Sequence, residues 1–83
     1  MKKEQIKKIL KEALKHHHTD ALPLEQLEKY LIEKHGYTKE QAENFWFEAL
    51  KSGIAEIAID VTDDYKTITV IMLKNEEKYE IIG

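Results

Sequence analysis

Apolar positions recur at helical spacing as far as Gly53 and at every second position beyond it. Ile6, Ile9, Leu10, Ala13 and Leu14 fall at i, i+3, i+4, i+7 and i+8, with Lys8, Lys11 and Lys15 on the opposite side. This spacing predicts an amphipathic helix over about residues 2 to 16. The stretch "TDALP" breaks it, and Pro23 suits the first turn of a second helix, where its missing N–H costs nothing. Leu24, Leu27 and Leu31 give that helix one buried stripe with Tyr30 at its margin. Gly36 is a natural left-handed residue after its last turn, so the helix should end near His35.

Thr38 followed by Gln41 is a capping-box pattern, and Ala42, Phe45, Trp46, Ala49 and Leu50 supply the stripe of a third helix. After Gly53 the period changes from 3.6 to 2. Ile57, Ile59 and Val61 alternate with polar or small residues, as do Ile68, Val70 and Met72, and "DDYK" between the runs reads as a turn. Pairing Thr62 with Thr67 would set Val61 opposite Ile68, Ile59 opposite Val70 and Ile57 opposite Met72, all on one buried face. The expected fold class is α+β: three helices and a C-terminal antiparallel hairpin, with room for a third short strand.

The 83 residues make one small domain, which buries roughly 60 to 65% of its unfolded surface in a single core. Without cysteine there is no disulfide framework and no thiolate metal site. The longest apolar run, "VIML" at 70 to 73, is too short to span a bilayer, and "MKKEQIKKIL" lacks the continuous apolar segment of a signal peptide. A cytoplasmic protein is the expectation. All thirteen basic residues are lysines; residues 1 to 18 carry a balance of +4 and residues 19 to 83 a balance of −7.

The order of helix, short extended segment at "AL", helix, tight turn, helix and hairpin resembles the winged helix-turn-helix superfamily. The resemblance covers about residues 5 to 74. Its sharpest piece is "LKSGI" at 50 to 54, which looks like the Leu-x-x-Gly-Ile stretch between the third helix and the wing. It implies that the third helix enters the DNA major groove and that the wing touches phosphates, although fold does not fix function.

The residues test that implication. Stepping about 100° per residue from the buried stripe of the third helix leaves Glu40, Asn44, Phe47, Glu48 and Lys51 facing outward. Carboxylates there would be repelled by phosphates, and the bidentate arginine contact to guanine cannot be made by a chain without arginine. Asn44 could read adenine. The wing tip sets Asp63 and Asp64 against Lys66, and Asp-Asp is equally good turn chemistry. The remaining phosphate-binding surface would be Lys8, Lys11 and Lys15 on the first helix, giving weak, salt-sensitive and sequence-indifferent contacts.

Phe47 among Glu40, Glu43 and Lys51 has the look of an apolar anchor with a charged rim, the usual build of an interface hot spot. It could instead tuck against the wing or the second helix. On the expected register Ala58, Ile71 and Leu73 share the outward face of the hairpin and need a cover, either a third strand at "KYEII" (Tyr79, Ile81) or another molecule, and a homodimer would satisfy both observations.

Three adjacent histidines, His16 to His18, point about 100° apart on a helix and cannot converge on one ion, although His16 and Asp20 would have ligand spacing if the first helix continued past Thr19. No phosphate-cradling loop or nucleophile elbow can be found around the lone Ser52 and Gly36, Gly53 and Gly83. The chain is therefore expected to be no enzyme and to need no cofactor, metal or small-molecule substrate. Three readings follow: a module that binds a protein partner or itself through the third helix and the hairpin, a small DNA-binding regulator that uses the lysines of the first helix, and an idealised domain without selected function.

Overall fold

The structure, a computed structural model, describes residues 2–74. Its element order is α1 (Lys3–His16), β1 (Leu22–Pro23), α2 (Leu24–His35), α3 (Lys39–Lys51), β2 (Ala55–Val61) and β3 (Thr67–Leu73). Three helices pack against one face of a three-stranded antiparallel sheet of order β1-β3-β2, an α+β architecture. The third strand is β1, paired through Leu22 with Ile71 and through Pro23 with Val70. The strand expected at Tyr79 and Ile81 lies outside the described residues.

The helices follow their apolar periodicity. Ile6, Ile9, Leu10, Ala13 and Leu14 are all buried on α1, and Leu27, Tyr30 and Leu31 on α2. Pro23 sits one residue before α2 rather than within its first turn. Gly36 is left-handed (φ 67°) and closes α2. Thr38 and Gln41 form the capping box, with the Gln41 N–H donating to Thr38 Oγ1 (3.1 Å) and the Thr38 N–H to Gln41 Oε1 (2.8 Å). At the other end of α3, Gly53 (φ 78°) turns the chain so that its N–H reaches Leu50 O and the Ile54 N–H reaches Ala49 O.

The hairpin differs from expectation by one residue of register. The Thr62 N–H donates to Lys66 O (2.8 Å), and Tyr65 takes a left-handed backbone (φ 61°) with its N–H on Thr62 O. The loop is therefore the three residues Asp63, Asp64 and Tyr65, a tight turn ending in a left-handed residue, and not the four of "DDYK". Val61 faces Thr67, Ile59 faces Thr69, Ile57 faces Ile71 and Ala55 faces Leu73. A slip of one exchanges the faces of β3. Ile71 is thus fully buried in the core and Leu73 packs against it, whereas Ile68, Val70 and Met72 turn to the opposite face.

Candidate interaction surface

The orientation of α3 is fixed from both sides. Ala42, Phe45 and Ala49 are buried, and Trp46 lies half-buried against the core with its indole N–H donating to Glu28 Oε2 on α2 at 2.9 Å. Anchoring Trp46 leaves the next residue outside: Phe47 is 57% exposed, its ring centroid 6.5 Å from that of Trp46. Glu40, Asn44, Glu48 and Lys51 are exposed with it on the outward arc. Asn44 and Glu48 border a shallow, open depression with Ile6, Tyr37, Gln41 and Phe45, and Phe47 is not part of that lining. The outward arc therefore presents a polar strip over the depression and an apolar knob beside it.

The hairpin contribution is corrected by the register. Ala58, Ile71 and Leu73 do not share an outward face: Ile71 and Leu73 belong to the core side, while Ala58 pairs with Val70 on the reverse. The uncovered apolar residues of the hairpin are Ile57 (46% exposed), Ile59 (65%) and Val61 (60%). They share the face of Ile71 but lie toward the tip of the hairpin, and β2 is an edge strand. Thr62 bonds to Lys66, and the Lys74 N–H donates to Ile54 O (2.8 Å), so the even-numbered residues of β2 aim their backbone groups at β3. Ile57, Ile59 and Val61 consequently aim theirs outward. Among the described residues, the Val61 N–H of these three has a local acceptor, Asp60 Oδ1 at 2.9 Å.

Charge is arranged as the sequence suggested. Asp63, Asp64 and Lys66 are exposed at the hairpin tip, and Lys8, Lys11 and Lys15 are exposed along α1. Lys11 and Lys15 border an open depression with Leu14, His18, Thr19, Asp20 and Leu73.

A polar cluster that sequence spacing could not reveal joins α1 to α2. Glu12 Oε2 accepts the Tyr30 hydroxyl (2.7 Å) and lies 2.8 Å from His35 Nε2. These two bonds hold the Glu12 carboxyl below the ordinary carboxylate range, Tyr30 contributing most. Burial, reinforced by Glu12, pushes the Tyr30 hydroxyl up to about 12. The His16, His17 and His35 rings pack around Tyr30 with centroids 5.2, 6.0 and 5.9 Å away. Two of the three adjacent histidines, His16 and His17, thus make aromatic contacts, and among the described residues no group of three or more His, Asp or Glu side chains is placed to hold a metal ion.

Compared with protein-family models, with curated proteins and with solved structures, the chain matches none. No helix among the described residues is long and apolar enough to cross a membrane.

Proposed function

We propose that this chain is a non-enzymatic binding module on a winged-helix-type scaffold, acting by protein association through α3 and the hairpin. The observation that carries this reading is Phe47, 57% exposed on a helix whose neighbouring Trp46 is hydrogen-bonded inward. A rigid aromatic anchor held clear of the core, with Glu40, Asn44, Glu48 and Lys51 around it, is the composition of an interface hot spot and its rim. The order α1, β1, α2, α3, β2, β3 with β3 central supports the scaffold assignment. Acidic side chains on α3 and at the wing tip, exposed where phosphates would lie, favour a protein partner over DNA.

Light scattering across concentration tests the reading. The native chain is expected to gain mass with concentration, and Phe47→Ala, which removes a side chain more exposed than buried, is expected to reduce that gain while keeping its far-UV spectrum. A chain that stays monomeric with or without Phe47 and binds a generic duplex with a steep salt dependence would establish the DNA-binding reading, with Lys8, Lys11 and Lys15 as the contacts.

A further inference from the structure

Among the described residues nothing pairs with the outer edge of β2. That edge has no lysine, no proline and no bulge opposite β3, and its two charged residues, Glu56 and Asp60, lie on the face opposite Ile57, Ile59 and Val61. Its outward-aimed backbone groups and its exposed side chains belong to the same residues, Ile57, Ile59 and Val61. A strand added there would gain a hydrogen-bond ladder and an apolar row together.

We propose that the added strand is β2 of a second copy, joined antiparallel across a two-fold axis at Ile59 to give one six-stranded sheet. The inference rests on the association reading above and names its partner.

The register follows from symmetry and charge. A two-fold axis normal to the sheet preserves faces, so odd-numbered residues pair with odd and even with even. An axis at Ala58 would set Glu56 opposite Asp60, and an axis at Asp60 would set that carboxylate against its own copy, both unfavourable like-charge pairs. An axis at Ile57 would draw Gly53 and the buried Ala55 into the ladder at the root of the wing. An axis at Val61 would pair little more than the turn. With the axis at Ile59, Ile59 meets Ile59, Ile57 meets Val61, Ala58 meets Asp60 and Glu56 meets Thr62, so no two acids are directly opposed. Ile57 and Ile59 then supply the N–H groups that have no acceptor among the described residues, while the Val61 N–H keeps Asp60.

Three apolar side chains per copy and a five-residue ladder fall short of the ~1,200 Å² total of a standard interface, so the dimer is a weak one. Its mass should rise between roughly 10 µM and 1 mM.

Because the chain has no cysteine, single cysteines can report the register. At the two-fold axis, partner Cα atoms of a hydrogen-bonded pair stand about 5.5 Å apart, within disulfide reach. Two copies of residue 57 would stand about 14 Å apart, out of reach. Full-length Ile59→Cys is expected to cross-link on mild oxidation at least tenfold faster than Ile57→Cys or Ala58→Cys. Ile59→Lys, on a side chain already 65% exposed, is expected to keep the fold and abolish the rise in mass.

Equal cross-linking at the three positions, or fastest cross-linking at residue 57 or 58, overturns the register. A mass rise that survives Ile59→Lys but is lost in Phe47→Ala overturns the strand-edge dimer and leaves the association reading standing. Ile57 and Ile59 amides protected from exchange at every dilution would put residues 75–83 of the same chain, not a second copy, on the edge. A chain monomeric up to 1 mM sinks both.

Discussion

The indole N–H of Trp46 donates to the carboxylate of Glu28, 18 residues earlier, at 2.9 Å, and this bond sets which side of α3 meets solvent. It joins α3 to α2 at the margin of the core. Trp46→Phe keeps most of the ring's packing and removes the donor, leaving Glu28 to water. A hydrogen bond to a charged group at a part-exposed site is worth about 1 kcal/mol here, below the ~1.5–3 kcal/mol of fuller burial. Urea unfolding of this variant should show a midpoint loss of that size.

Tyr65 pays for the three-residue loop with a left-handed backbone (φ 61°) and a side chain 90% exposed. A β-carbon in that region costs about 1 kcal/mol, and little packing is lost by removing the ring. Tyr65→Gly should therefore raise stability by no more than about 0.5 kcal/mol, the penalty relieved less the extra entropy of glycine in the unfolded chain. Thermal melting checks the direction.

The Glu12 cluster should give the protein an acid-sensitive term. Its carboxyl is held below the ordinary range in the folded state by Tyr30 and His35, so folding favours the ionised form. The stabilisation is present above the unfolded carboxylate range and is lost as pH falls through the folded value. Tyr30 runs the other way: its hydroxyl is raised to about 12, so its contribution is complete below the unfolded tyrosine range near 10 and declines as pH rises toward 12. Glu12→Gln is expected to flatten the stability profile on its acid side, as read from denaturation midpoints between about pH 3 and 7.

Thr38 closes the first turn of α3 through both halves of a capping box. Thr38→Ala should cost about 1 kcal/mol, while Thr38→Asp, which can accept the same N–H, should cost much less. Comparing the two separates loss of the cap from loss of the methyl group.

The helices were legible in the sequence because each carries its own signal. Leu10 and Leu31 are buried where the 3.6 period puts them, Gly36 and Gly53 are left-handed at the ends of α2 and α3, and the phase of α3 places Phe47 outward. The register was not legible, because it depends on Tyr65 adopting a backbone that its residue type disfavours. One residue of loop length then moved Ile71 and Leu73 to the core side and Val70 and Met72 to the reverse face, where Ala58 stayed. Alternation along β2 is also silent about cover: Ile59 lies on the face of Ile71 and is still 65% exposed. Glu12, Tyr30 and His35 lie on successive helices, and only their packing brings them together.

The most direct test of association through α3 and the hairpin is a residue-by-residue comparison of backbone amide NMR spectra at tens of micromolar and near millimolar concentration. Shifts concentrated at Phe47, its neighbours on α3 and the outward amides Ile57 and Ile59 are the expected result. Spectra that superimpose at the two concentrations, but move at Lys8, Lys11 and Lys15 when a DNA duplex is added at low salt, would contradict it.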